Sequence, residues 1–132
     1  MKAKLFYCGN LIEIMDFQHN VEDEIDGNPY NCSFSMKVVS GMFSGFADGC
    51  EYDYKEWKKF VNELEALYLF KTDKAELLEI GYGGNVLFLN DGLGHICVSG
   101  KIYGNGMTQS LEFEFEVDQT ALPMFIEELK KL

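Results

Sequence analysis

A chain of 132 residues, 47% hydrophobic and 14% aromatic, has enough apolar material for a core without metal or disulfide staples. Its eleven basic residues are all lysine and face 22 acidic ones, a net charge of −11. That balance speaks against nucleic acid or anionic lipid as a partner, because phosphate binding draws its affinity from cationic side chains, and it favours encounter with a basic protein.

In chain order, Met1 to Cys8 is too short and too polar for a signal peptide, and no run approaches the roughly 20 apolar residues that span a bilayer. A soluble, cytoplasmic protein is expected. Residues 5–15 read as a strand or a pair of short strands. The polar stretch Gln18 to Asn31, with Glu22, Asp23, Glu24, Asp26, Gly27 and Pro29, reads as a loop. Phe34, Met36 and Val38 alternate with Ser33, Ser35 and Lys37, the period of a half-buried strand. After Ser40-Gly41 a short strand is expected over Met42–Ala47.

Tyr54, Trp57, Phe60, Val61, Leu64, Leu67 and Tyr68 recur at helical spacing, which predicts a helix over about 54–70. Asp53 followed by Glu56 has the form of a capping box. Strands are expected at Glu76–Ile80 and Val86–Leu89 around Gly81-Tyr82-Gly83-Gly84-Asn85, then at His95–Tyr103 after the turn signal Asp91-Gly92. Leu111–Val117 alternates most cleanly, with Glu112, Glu114 and Glu116 on the outward face. A last helix over about 121–131 is expected to be capped by Thr120, with Pro123 in its first turn. With no repeat, low-complexity tract or linker, residues 1–132 read as a single α+β domain. The expected architecture is an antiparallel sheet of about five to seven strands packed on one face by two helices.

Most motifs with chemical potential have plain structural readings. Cys8, Cys32, Cys50 and Cys97 lack metal or redox spacing and are expected to be reduced. Glu22, Asp23, Glu24 and Asp26 lack the calcium-loop pattern, so no metal is expected. The glycine clusters lack the lysine and the following helix of a phosphate loop, and no cofactor is implied. His95 and Cys97 share a strand face, but their backbones stand about 6.5–7 Å apart, too far for a nucleophile–base pair without unusual rotamers. Glu112, Glu114 and Glu116 form either a polar face paired with Lys37 or Lys101, or an acidic docking surface.

Gly94-His95-Ile96-Cys97-Val98-Ser99-Gly100, Leu111-Glu112-Phe113-Glu114-Phe115 and Asp118-Gln119-Thr120-Ala121-Leu122-Pro123 resemble the WapI-like family of bacterial immunity proteins. Phe43-Ser44-Gly45-Phe46 and the helix with Trp57 and Phe60 fit the same pattern. The resemblance covers roughly residues 34–132. It implies a small cytoplasmic protein, encoded beside a polymorphic toxin, that binds and neutralises a cognate toxin domain without catalysis.

On that expectation the candidate contacts are Glu22, Asp23, Glu24 and Asp26, the helix face with Glu56, Glu63 and Glu65, and the row Glu112, Glu114, Glu116. Tyr52, Tyr82 and Tyr103 would serve as aromatic anchors. The alternatives are a structural or regulatory subunit with another protein partner, and a small-ligand enzyme using His95.

Overall fold

A computed structural model describes residues 1–132. The chain runs β1 (Lys2–Tyr7), β2 (Asn10–His19), α1 (Val21–Ile25), β3 (Cys32–Ser40), β4 (Phe43–Tyr52) and α2 (Tyr54–Tyr68). It continues β5 (Lys74–Leu78), β6 (Asn85–Asn90), β7 (His95–Tyr103), β8 (Ser110–Asp118) and α3 (Leu122–Lys130). All pairings are antiparallel, as the short connections predicted. The strands form two four-stranded sheets, β1-β2-β3-β4 and β5-β6-β7-β8, in place of the single sheet expected. Each sheet is a meander followed by a long helix, so the topology repeats although the sequence does not. Alternation shows which face of a strand is buried but not which strands are neighbours, and α2 separates the two meanders.

The first hairpin turns on Cys8 and Gly9, with φ of 51° and 82°. Two central residues at positive φ between the paired Tyr7 and Asn10 mark a type I′ turn, whose twist matches that of its strands. Between Ser40 and Phe43 only Gly41 has positive φ (61°), as a type II′ turn requires.

Two bulges explain where strand boundaries and burial depart from expectation. In β2 the register shifts between Met15 and Gln18, with Asp16 at φ 57°. One extra residue reverses the alternation, so Ile12 and Ile14 are followed on the core side by Phe17 and His19. Phe17 lies 5.0 Å from the Trp57 ring, and His19 stacks on Tyr54 at 3.6 Å. In β4 the shift falls at Asp48-Gly49, between Ala47 and Cys50, and Gly49 has φ 60°. The strand therefore does not stop at Ala47 but continues to Tyr52 with its parity reversed. The Asp48 carboxylate accepts from the buried Ser35 hydroxyl at 2.9 Å, which in turn accepts the Gly49 N–H at 3.2 Å.

The expected loop 18–31 is shorter than predicted. Its middle is α1, nucleated by Asn20, whose side chain accepts from the Asp23 N–H at 3.0 Å. At α2, Asp53 caps as expected, accepting from the Lys55 N–H at 3.1 Å. The Tyr54 N–H is taken by the buried Asn31 at 2.7 Å. Thr120 does not cap α3, which starts after Ala121 with no side-chain cap; Asp118 instead caps the turn before it, its carboxylate accepting both the Thr120 N–H and hydroxyl, at 3.0 and 2.8 Å. A single 3-10 turn, Gln119–Ala121, then leads into α3.

One core joins both sheets. Phe34, Trp57, Phe60, Phe88 and Phe125 are buried and follow one another at ring separations of 5.1 to 6.4 Å, from the first sheet through α2 to the second sheet and α3. α3 also lies against β1, where Glu128 accepts the Lys4 N–H at 3.0 Å. The β1 edge is thereby covered.

Candidate protein-binding face

The second sheet buries Phe113, Phe115 and Val117 of β8 and leaves Glu112, Glu114 and Glu116 exposed. Strand geometry sets these carboxylates in a row along the sheet edge, about 6.5–7 Å apart at the backbone. Each finds a partner on β7. Glu112 lies 3.8 Å from Lys101. Glu114 accepts from the Cys97 thiol at 3.2 Å. Glu116 lies 3.5 Å from His95 Nδ1, which also faces Asp91 at 3.3 Å. The expected lysine pairing thus holds for Lys101. Lys37 stands opposite Glu13 and Phe46 in the first sheet and takes no part in this row.

The sequence marks Asp91 only as a turn residue ahead of β7, not as part of this face. The N–H groups of Leu93 and His95, with His95 itself, hold its carboxyl below the usual carboxylate range. Asp91, His95 and Glu116 bring their donor atoms within 4.8 Å of one another, all exposed. His95 and Cys97 turn to different carboxylates. Burial, then the bond to Glu114, pushes the Cys97 thiol up, so it is protonated at neutral pH and a poor nucleophile.

The remainder of this face has an apolar centre. Register places Leu89 beside Cys97 and Leu87 beside Ser99, next to the glutamates. A shallow, open depression of about 670 Å³ spreads over Asn85, Ser99, Lys101, Glu112 and Glu114. Such a hollow suits a macromolecular surface better than a small molecule, which needs enclosure. At one end, Tyr82 is 46% exposed and Tyr103 half-buried beneath Lys101, whose ammonium sits 5.1 Å from its ring.

The other predicted contacts are scattered. Tyr52 is only 4% exposed and stacks on Phe34 at 4.1 Å. It is a core residue, turned inward by the β4 bulge, and burial holds its phenol well above the ordinary range. Glu22, Asp23, Glu24 and Asp26 belong to α1 and its end, with Glu24 3.1 Å from His19. Glu56 is exposed on α2, Glu63 shares its surface with Lys55, Lys58 and Lys59, and Glu65 pairs with Lys130. A helix face carrying three lysines is not an acidic surface.

The glycine cluster after β5 does bind an anion, but it is the chain's own. The buried Glu79 carboxylate accepts the N–H groups of Gly81, Tyr82 and Gly83 at 2.6, 2.5 and 3.2 Å, and that of Glu51 at 2.9 Å. This nest locks β4 to the β5–β6 connection.

The sequence model of the immunity protein WapI-like family matches residues 11–132. The chain belongs to this family. The match reaches further toward the N-terminus than residue 34, so β2 is part of the family pattern. No curated protein matches the chain. Among solved structures, a chain described as "Crystal structures of trypanosoma bruciei MRP1/MRP2" is similar at a TM-score of 0.51 and 12% identity. The similarity covers 99% of this chain and 81% of the other. At that identity it concerns the fold alone. No helix is long and apolar enough to cross a membrane.

Proposed function

We propose that this WapI-like chain is an immunity protein that binds and neutralises a cognate bacterial toxin domain, acting by occlusion and not by catalysis. Family membership carries this reading. The row of Glu112, Glu114 and Glu116 on an uncovered sheet face supports the choice of surface. Three carboxylates beside a net charge of −11 would steer a basic partner and orient it on encounter. Toxins that act on nucleic acid hold phosphate with lysine and arginine, so a nuclease domain is the toxin class whose chemistry this row matches. Tyr82 and Tyr103 would add aromatic contacts at one end. In this reading the pair meets in the cytoplasm, with no cofactor, metal, nucleic acid or membrane involved.

Co-expression in bacteria with the toxin domain encoded beside the gene tests the role. Survival with co-purification is expected, and killing despite good expression of this chain would sink the reading. Replacing Glu112, Glu114 and Glu116 together by lysine tests the face. Slower association with a flatter salt dependence is expected. Unchanged association would exclude the row while leaving the role standing.

A further inference from the structure

Leu111 alternates with Glu112 along β8, so the far side of the glutamate strand faces a different surface. There a groove of about 340 Å³ opens, where Phe43, Phe46, Ile102 and Leu111 alternate with serine, glycine and Gln109. One wall is β4 from Phe43 to Phe46; the other is the end of the β7–β8 hairpin, with Ile102 and Leu111. β4 pairs only with β3, and β8 only with β7, so each wall carries a strand edge with no strand partner. Gly45 brings the walls together: a Cβ there would stand 3.1 Å from Leu111 Cδ2. Further along, the Ser40 hydroxyl donates to the Glu114 carbonyl at 3.4 Å and closes the gap.

The rim is unusually apolar for so charged a chain. Met42 is 99% exposed, Phe43 71% and Phe46 50%. Phe43 and Phe46 point to opposite faces of β4 and flank its edge, and Phe43 with Met42 beside it presents on the order of 300 Å², within the range of patches that on a soluble monomer are often functional. A stable protein complex buries about 800 Å² on each partner, and its affinity comes mainly from apolar anchors in pockets, whereas charges at the rim set rate and orientation. The glutamate row supplies the second element, and the groove across the same strand supplies the first.

We propose that this groove receives an extended segment of the toxin, which pairs its main chain with the β4 edge and seats one large apolar side chain as its anchor against Phe43 and Leu111, while the next side chain lies against Phe46 on the opposite face of β4. A lysine or arginine beside that anchor reaches over β8 to Glu112, whose side chain is 80% exposed and has Lys101 at 3.8 Å. The proposal rests on the toxin-binding reading and specifies the partner: a basic segment with an apolar anchor, bound by strand addition.

The experiment is calorimetric titration of an inactivated form of the toxin domain encoded beside the gene into this chain. It is run against Phe43→Glu and Phe46→Glu, both at exposed positions, and against the glutamate-row reversal. Each phenylalanine variant is expected to lose about 30-fold or more in affinity at high salt, where the added carboxylate is screened, the mark of a lost apolar anchor. Amide hydrogen exchange on the wild-type complex, which needs no variant to fold, is expected to slow at residues 43–46 and 110–112. Wild-type affinity in both phenylalanine variants, or unchanged exchange at those edges, overturns the groove proposal while leaving toxin binding intact. Absence of any complex with the wild-type chain overturns both. A homodimer dispersed by Phe43→Glu assigns the groove to a second copy and also overturns it.

Discussion

Replacing Glu79 by alanine is expected to be among the most damaging single changes, although three of the four groups it serves lie in an exposed loop. The carboxylate is 7% exposed and accepts four backbone N–H groups, three from the β5–β6 connection and one from Glu51 of the other sheet. Hydrogen bonds to a charged acceptor each contribute about 1.5–3 kcal/mol, but water can reach Gly81, Tyr82, Gly83 and Glu51 once the side chain is gone. Discounting for that rehydration leaves a net loss of about 2–4 kcal/mol. Unfolding entropy for a chain of 132 residues is roughly 0.28 kcal/mol/K, so Tm should fall by about 7–14 °C. Glu79→Gln should recover little, because its amide NH₂ would point a donor at donors. The assay is thermal unfolding followed by far-ultraviolet circular dichroism at neutral pH. A Tm within 2 °C of wild type for Glu79→Ala would refute the view that this carboxylate ties the two sheets together.

Two further outcomes follow from the backbone and the thiols. Cys8 occupies a left-handed position, at φ 51°, that asparagine tolerates far better. Cys8→Asn completes an Asn-Gly type I′ turn and should stabilise by about 0.5–1 kcal/mol, a rise of about 2–4 °C in the same melt; a fall in Tm would count against the turn assignment. Burial pushes the Cys32 and Cys50 thiols up to about 12, while Cys8 is exposed. At pH 8 a thiol reagent should label Cys8 first and Cys97 more slowly, reaching Cys32 and Cys50 only on unfolding. Rapid labelling of all four, read by mass spectrometry, would contradict the packing around them.

The candidate face was partly visible before any fold was known. The strict alternation from Leu111 to Val117 allows one arrangement in a half-buried strand, so the exposed row of Glu112, Glu114 and Glu116 followed from local chemistry alone. Its neighbours did not. Leu87, Leu89 and Asp91 join the row only because β6 pairs with β7 and β7 with β8 in one register, and that choice is made by the packed sheet. The groove was equally hidden, since Phe43, Ile102 and Leu111 are far apart in the chain and read individually as ordinary strand residues.

By itself, then, the amino-acid order determined what depends on neighbours a few residues away. It set the α2 stripe from Tyr54 to Tyr68, the pleat of β3 and β8, the antiparallel pairing imposed by short turns, the α3 entry at Pro123 and the negative charge. Tertiary structure decided the rest. It split eight strands between two sheets, and at Asp16 and Asp48-Gly49 it inserted the bulges that reverse inside and outside. Tyr52 shows why the distinction matters. One extra residue upstream turns it from a surface anchor into a core ring stacked on Phe34, because a strand has a period of two and only the partner strand can register a slip of one.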